Sequence, residues 1–454
     1  MPRTLVLVGS CLLLFILWLP GLQYPIVSDT AFYALLGESM WKHGRYELFD
    51  EPYAKHLPLH AFLSYPLVSL FGFTLGMKLA TLLAGIAVLL LAYFVLRDVF
   101  SERVALLSVP LIAVHHGFVL MTMLGSADLL FADLFLLMIL SLQRAEDDTR
   151  WYLVTGVSIG LASLTRYNGV PLLAVFVLCI LLWRREDLRS PWALGGFVLA
   201  CALFGLWLWR NVRVFGNPLH TLYTEELSAE SPDHLRQFLS NVLYYLNPLH
   251  NILPILLVFA IYSILTDWRR QQILLLSIAG VWLLSAIWWV QAIRFAFPAY
   301  PLLIGSGVAG LRRFFRVHPS FSNVGVPVIV AALVFVHGAS LCVYSYGSCN
   351  SAVDRLISFM PKNLGLSSEG FYTWGLARKS ANDLLPNNAV YGAGGISNAI
   401  MQQEGFFRRD IRIVDAGNAE CPYYRISQKP GLGEEVISVT EDYPLTYVTK
   451  VLCP

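Results

Sequence analysis

Long apolar runs recur between residues 4 and 345 and constrain the fold of this chain more than any other feature. A run of about 17–25 apolar residues crosses a ~30 Å hydrocarbon core as a helix. Only 14% of the 454 residues are charged, whereas a soluble domain carries about 25%. The sequence therefore predicts an α-helical polytopic membrane protein with about eleven transmembrane helices. The runs lie near 4–22, 76–96, 104–122, 129–143, 151–166, 168–183, 192–212, 250–266, 272–290, 295–310 and 324–345.

Arginines concentrate in alternate connecting loops and predict the orientation of the chain in the membrane. They are Arg97, Arg103, Arg144, Arg150, Arg184, Arg185, Arg189, Arg269, Arg270, Arg312, Arg313 and Arg316. Cytoplasmic loops are enriched in such cations, so we expect a cytoplasmic N-terminus and outer segments at 23–75, 213–249 and 346–454. We interpret the first run as a retained anchor rather than a signal peptide, because no small-x-small cleavage pattern follows it.

The first outer segment contains two predicted interfacial helices. Residues 30–43, AFYALLGESMWKHG, place Phe32, Leu36 and Met40 on one helical face, which is typical of an amphipathic helix at the membrane interface. A second helix is predicted from Pro58 to about Phe71. Together they form a long segment on the outer surface, where it can cover a cavity.

The C-terminal residues 346–454 are predicted to form a small α/β extracytoplasmic domain, separate from a membrane domain at 1–345. Residues 389–403 suggest a strand, a glycine turn and a helix, and 411–417 and 445–452 suggest strands. The glycine turn lacks the third glycine of a dinucleotide-binding loop, so we interpret it as a tight turn. Disulfides are plausible among Cys342, Cys349, Cys421 and Cys453, but the sequence does not fix their pairing.

Five charged residues are expected at one depth on the outer side. They are Asp29, Asp128, Lys55, Arg166 and Arg294. Ionisable groups are costly at a membrane and are therefore functional candidates. Cations neutralise a departing phosphate and a carboxylate accepts a proton from an attacking group, so the set suits transfer from a lipid-linked phosphate. The alternatives are interfacial snorkelling residues or structural ion pairs, with Arg294 and Arg166 paired to Asp133 or Asp29.

His56, His60 and Glu38 are further candidates in the first outer segment. The two histidines have an i, i+4 spacing that is compatible with metal binding, but no third ligand accompanies them, so we favour interfacial histidines. No cofactor is implied by the sequence, and a divalent metal is the less favoured alternative. The net charge of +2 gives no indication of a nucleic-acid partner.

Five segments, in order and with spacing intact, resemble the GT-C superfamily of polyprenyl-phosphate-sugar-dependent glycosyltransferases. They are SDTAFYALLGESMWKHGRYELF, KHLPLHAFLSYPLVSLFG, GSADLLFADLFLL, LTRYNGVPLL and RFAFPAYPLLIGSGVAG. The most similar branch contains protein O-mannosyltransferases, aminoarabinose transferases and RgtA/B/C/D-like membrane proteins. The resemblance covers residues 1–345. It departs at one point, because the Lys-Pro-Pro of the family is here Lys55-His56-Leu57-Pro58.

The resemblance implies that Asp29 is the catalytic carboxylate and Asp128 a second carboxylate in the cavity. Lys55, with Arg166 or Arg294 or both, would contact the lipid phosphate. The implied reaction moves a hexosyl or pentosyl group from a polyprenyl-phosphate donor to a lipid, polysaccharide or protein acceptor at the outer membrane face.

Two other functions remain open from the sequence. A transporter or flippase for a lipid-linked or amphipathic substrate would also need many helices and intramembrane charges, although no inverted repeat with matching broken helices is evident. An inactive relative that serves as a scaffold is the third interpretation, and the retained carboxylates and cations argue against it.

Overall fold

The computed structural model describes residues 3–23, 29–48, 51–221, 223, 234–246, 254–287, 293–321, 325, 328–329, 331–332, 385–393, 412–415, 422–427, 434–439 and 447–452. Most of these residues are helical. In chain order the α-helices are α1 (Arg3–Trp18), α2 (Asp29–His43), α3 (Pro58–Phe71), α4 (Phe73–Val99), α5 (Glu102–Ala113), α6 (His116–Leu124), α7 (Asp128–Arg144), α8 (Trp151–Thr165), α9 (Pro171–Trp183), α10 (Pro191–Phe215), α11 (His234–Leu246), α12 (Pro254–Thr266), α13 (Gln272–Ile287), α14 (Ile293–Ala296) and α15 (Tyr300–Val317).

Fewer helices meet the length and composition of a membrane span than the eleven or so that the sequence predicts. Among the described residues, three helical stretches are long and apolar enough to cross a bilayer alone, namely Arg3–Leu22, Phe73–Val99 and Pro191–Phe215. Shorter apolar helices include Pro58–Phe71 and Trp151–Thr165. The count of about eleven spans therefore stays a prediction, and most of the run 324–345 lies outside the described residues.

The predicted span 104–122 is not one straight helix. It consists of α5 and α6, which meet at an angle of 59°. His115 at the break has an extended backbone with ψ 121°, and α6 ends at Gly125 in the left-handed region with φ 74°. A Cβ at Gly125 would overlap the side chain of Thr30, so glycine allows this turn to approach α2 closely. The bend thereby brings the start of α7 close to α2.

Small residues allow the helices to pack closely. A Cβ added at Gly156 of α8 would overlap the backbone of Gly196 in α10, and a Cβ at Gly196 would overlap the carbonyl oxygen of Tyr152. Glycine at such crossings is typical of helix association in membranes, where close backbone approach gains packing contacts. Most of the described helices share an apolar core that includes Leu96, Phe135 and Tyr300, whereas α2 and α3 pack in a second apolar cluster that includes Phe32 and Ala61.

The two predicted helices of the first outer segment are confirmed as α2 and α3. A short antiparallel pair, β1 (Glu47–Leu48) and β2 (Glu51–Pro52), lies between them in sequence. The expectation of a single apolar face on α2 was wrong, because Tyr33, Gly37 and Glu38 are buried as well as Phe32. The physical reason is close helix packing: a Cβ at Gly37 would overlap the Ala61 carbonyl oxygen of α3.

The described part of 346–454 contains one five-stranded sheet with the order β4-β3-β5-β7-β6. Strand β3 is parallel to β4 and β5, whereas β7 is antiparallel to β5 and β6. The strands expected within 389–403, 411–417 and 445–452 are confirmed, but β5 and β6 were not foreseen. The helix expected after the glycine turn, and the four cysteines considered for disulfides, lie outside the described residues. The strands are β3 (Val390–Ala393), β4 (Arg412–Asp415), β5 (Tyr423–Ser427), β6 (Glu434–Val439) and β7 (Tyr447–Val451).

Candidate active site

Asp29 is the first residue of α2, and a nitrogen-bearing side chain approaches each of its carboxylate oxygens. His56 Nε2 lies 3.4 Å from Oδ1, and Arg294 Nη1 lies 3.4 Å from Oδ2. The positive end of the α2 dipole also favours a negative charge at this position. The side chain remains 20% exposed, so a substrate group has access to it.

The charge state of Asp29 follows from competing effects. Burial acts to raise the pKa of Asp29, but His56, Arg294 and Lys55 more than offset it and hold the pKa well below its usual value. A depressed carboxyl pKa means that the ionised form persists at all pH values above it. Asp29 is therefore a carboxylate at neutral pH.

Asp128 is the first residue of α7, as the sequence predicts, and its contacts are shorter than those of Asp29 with His56 and Arg294. Arg166 Nη1 donates to Oδ1 at 2.6 Å, and Ser126 Oγ donates to Oδ2 at 2.8 Å. The Asp128 side chain is 3% exposed and that of Arg166 is 19% exposed. A short, buried, charge-assisted pair of this kind is a strong local restraint.

Phe295 joins the two ion pairs into one cluster. The guanidinium carbons of Arg166 and Arg294 each lie 5.2 Å from the centre of its ring, which is within cation–π distance. Arg294 also interacts electrostatically with Asp128 as well as with Asp29. The structure thus brings together predicted residues from α2, α7, α14 and the turn after α8.

Lys55 belongs to the same cluster despite the departure from the Lys-Pro-Pro pattern. Its side chain is buried, with 9% of the residue exposed. Nζ lies 5.3 Å from the centre of the Tyr223 ring, and the ammonium group acts electrostatically on Asp29. With Arg166 and Arg294 it gives three cations against two carboxylates. The cluster has a formal excess of one positive charge, which suits an anionic ligand.

His60 and Thr30 fix the wall between the two carboxylates. His60 Nε2 lies 3.0 Å from the Gly125 carbonyl oxygen, and Thr30 Oγ1 donates to the Leu124 carbonyl at 2.6 Å. Burial lowers the pKa of His60 to about 4, although the Gly125 carbonyl opposes that shift. The neutral imidazole therefore donates from Nε2 and ties α3 to the turn before Asp128.

The two histidines do not form a metal site with these neighbours. His56 precedes α3 and His60 lies within it, so they do not share a helical face. The ring of Tyr33 contacts both, at centroid distances of 5.0 Å and 4.9 Å. No group of three His, Cys, Asp or Glu side chains with metal-binding geometry occurs in the described part of the chain. Cations are paired with both carboxylates, Arg294 with Asp29 and Arg166 with Asp128.

Glu38 lies apart from the cluster. It forms an i, i+4 ion pair with Lys42 at 2.7 Å. With a rise of ~1.5 Å per residue, it lies ~13 Å along α2 from Asp29. The residues that sequence reasoning missed are Thr30, Tyr33, Tyr53, Ser126 and Phe295. Only Ser126 carried a sequence signal, because it precedes Asp128 by two residues.

The ion pairs agree in part with the structural alternative considered from the sequence. Arg294 pairs with Asp29, but Arg166 pairs with Asp128 and not with Asp133. Asp133 is 9% exposed, and its Oδ1 has no hydrogen-bond partner among the described residues. The pairs are therefore real contacts, and their function depends on whether a substrate anion displaces them.

Comparisons with known proteins agree with this architecture. Residues 51–209 match the family model described as dolichyl-phosphate-mannose-protein mannosyltransferase. The structure is similar to that of ArnT from Cupriavidus metallidurans bound to undecaprenyl phosphate, with 16% identity, a TM-score of 0.65, and coverage of 98% of this chain and 99% of that chain. It is also similar to the oligosaccharyltransferase AglB from Archaeoglobus fulgidus in complex with an inhibitory peptide and a dolichol-phosphate, with 16% identity and a TM-score of 0.55.

The alignment with AglB covers 90% of this chain and 64% of that chain. Comparison with curated protein sequences gives no match. The fold that the resemblance to the GT-C superfamily implies is consistent with these two structures. The chain is an integral membrane protein, and it shares the fold of ArnT and AglB.

Proposed function

We propose that this protein transfers a glycosyl group from a polyprenyl-phosphate-linked donor to an acceptor at the outer face of the membrane. The observation that carries the proposal is the cluster of Lys55, Arg166 and Arg294 around Asp29 and Asp128, with its excess of positive charge. ArnT bound to undecaprenyl phosphate and AglB bound to a dolichol-phosphate share the fold, which supports a lipid-phosphate donor.

In the proposed reaction, Asp29 accepts the proton of an acceptor hydroxyl as the acceptor oxygen bonds to the anomeric carbon. The bond between that carbon and the phosphate oxygen breaks, and the lipid phosphate leaves with the electron pair. Lys55 and Arg294 stabilise the negative charge on the leaving phosphate. Asp128 and Arg166 keep the opposite wall in place.

Donor binding would also change the pKa of Asp29. Arg294 and Lys55 act on the Asp29 carboxylate, and a donor phosphate competes for the same cations. When they turn toward the phosphate, the pKa of Asp29 moves back toward its usual value, because an opposite charge nearby is what lowers it. Asp29 becomes a better base only once the donor is bound, which protects the site against unproductive protonation.

The proposal includes an orientation. The N-terminus would be cytoplasmic, the membrane domain would comprise residues 1–345, and 346–454 would form an extracytoplasmic domain. The distribution of arginines among the loops supports this arrangement. Lipid-linked donors suit that side, because nucleotide sugars are made in the cytoplasm. The acceptor would be a lipid, a polysaccharide or a protein.

The test is donor consumption by purified protein in lipid nanodiscs. A panel of radiolabelled polyprenyl-phosphate hexoses and pentoses is supplied together with an extract of acceptor-containing membranes. Consumption of one donor by the wild type, with loss of consumption in Asp29→Asn, would support the proposal and identify the sugar. Translocation of a labelled donor across proteoliposomes without its consumption would instead indicate a flippase.

A further inference from the structure

His56 occupies a position where the resembled family has proline, and its ring is held on several sides. It is 4% exposed. The ring stacks on Phe32 and on Tyr53, with centroid distances of 5.6 Å and 5.7 Å. Its two nitrogens face different partners: Nε2 lies 3.4 Å from Asp29 Oδ1, and Nδ1 lies 2.7 Å from the Tyr53 hydroxyl.

The chemistry of these partners fixes the tautomer. An ionised carboxylate only accepts hydrogen bonds, so Nε2 must carry the hydrogen that points at Asp29. Nδ1 of a neutral imidazole is then an acceptor, and the Tyr53 hydroxyl donates to it. Burial raises the pKa of Tyr53 well above its usual value, so its proton stays available for this bond at any working pH.

The two oxygens of Asp29 have different kinds of partner. Oδ2 faces Arg294, which is a cation that a donor phosphate attracts. Oδ1 faces His56, which a phosphate does not draw away when the ring is neutral and stacked between aromatic side chains. After the arginine turns to the phosphate, His56 remains the group that orients the carboxylate.

We propose that Tyr53 and His56 are positioning residues for Asp29. Tyr53 holds His56 in the tautomer that donates from Nε2, and His56 directs the other Asp29 oxygen toward the acceptor hydroxyl. The inference deepens the proposed function and rests on it. The distance of 3.4 Å is long for a hydrogen bond, and catalytic contacts of this kind tighten in the substrate complex.

Other titratable and charged groups also face His56. Asp29 and Tyr33 approach from α2, and Arg294 approaches Asp29 from α14. Tyr46 donates its hydroxyl to the His56 carbonyl oxygen at 2.9 Å, and Lys55 is the preceding residue. Tyr46 therefore holds the backbone of His56, whereas Tyr53 holds its ring nitrogen.

The first test compares His56→Phe with His56→Gln in the donor-consumption assay. Phenylalanine keeps the stacked ring but removes the donor, and the glutamine amide restores a donor near Nε2. We expect His56→Phe to lower turnover by about 100-fold, the order of effect of a misplaced reacting group, with apparent donor affinity unchanged. His56→Gln should recover most of that loss. His318→Phe is the matched control, because His318 stacks on Phe314 at the end of α15.

The second test compares Tyr53→Phe in the wild type and in His56→Gln, with Tyr262→Phe as its control. Without the phenol, no contact favours the tautomer with the hydrogen on Nε2, and in the other tautomer Nε2 is an acceptor that cannot donate to Asp29. Turnover should therefore fall in Tyr53→Phe, whereas the same substitution should cause no further loss in His56→Gln, which has no tautomer to hold. A purely structural role for Tyr53 would lower turnover equally in both backgrounds.

Wild-type turnover in His56→Phe, or equal losses in His56→Phe and His56→Gln, would overturn the proposal. So would an equal loss from Tyr53→Phe in the wild type and in His56→Gln, because phenylalanine keeps the ring and its packing. If Asp29→Asn is inactive while these variants behave as wild type, the positioning role of Tyr53 and His56 is wrong and the proposed function stands. If the wild type consumes no donor, both fail together.

Discussion

Asp29 and Asp128 each begin a helix at the same site, yet their surroundings differ. Asp128 makes contacts of 2.6 Å and 2.8 Å and is 3% exposed. The contacts of Asp29 with His56 and Arg294 are each 3.4 Å, and its side chain is 20% exposed. The comparison teaches a division of roles. The loosely held, accessible carboxylate is suited to meet a substrate, whereas the tightly held one is suited to stabilise the wall.

The largest expected effect is on activity, at Asp29. Asp29→Asn removes the proton acceptor but keeps the shape of the side chain, so we expect turnover to fall by about 10³-fold with little change in thermal stability. Donor consumption and the midpoint of thermal unfolding measure the two quantities. Glu38→Gln is the matched control on the same helix. Wild-type turnover in Asp29→Asn would contradict the assignment of Asp29, rather than Asp128, as the carboxylate that meets the substrate.

Asp128→Asn should mainly affect stability. It leaves Arg166 partly buried opposite a neutral amide, and breaking a buried pair from one side costs about 3 kcal/mol. Thermal unfolding in detergent is the measurement. The double variant Asp128→Asn/Arg166→Gln should recover part of the loss, because no buried charge is then left unpaired. An unchanged unfolding midpoint in the single variant would contradict the assignment of Asp128 to the wall.

His60 makes the stability of that wall depend on pH. Its folded pKa of about 4 lies below the ordinary value of about 6.5, so the folded state binds fewer protons than the unfolded state. Stability is then fully present above about pH 6.5 and falls as the pH drops toward 4, by about 3 kcal/mol. His60→Gln keeps a donor to Gly125 and should flatten the dependence of the unfolding midpoint on pH. An equally steep dependence in that variant would exclude His60 as its source.

Arg294→Gln should have the smallest effect, on the accessible side of the site. Loss of one charge-assisted contact weakens apparent donor affinity by about tenfold, while acceptor affinity stays the same. It also removes a group that lowers the pKa of Asp29. Asp29 must be ionised to act, so the acid limb of activity should move to higher pH. Unchanged donor affinity, measured by titration of the labelled lipid, would remove Arg294 from the phosphate site.

Much of the helical framework was predictable because apolar runs and helix starts are local properties of the chain. The bounds of α3, the start of α7 at Asp128 and the helix from Asp29 follow from composition and periodicity. The break between α5 and α6 did not follow, because the apolar run is continuous across it. Strands β5 and β6 were also missed, since short strands with charged residues such as Glu434 and Glu435 lack a clear alternation.

The sequence alone determined which ionisable residues lie near the ends of the helices, because each follows or precedes an apolar run. Only the tertiary structure decided their partners. Arg294 reaches Asp29 across 265 positions of sequence, and Arg166 reaches Asp128 rather than Asp133. Pairing depends on how distant helices pack, and packing is set by close contacts such as those of Gly125 with Thr30 and Gly37 with Ala61. No local pattern records those contacts, so the contact of His56 with Asp29 became visible only in the folded chain.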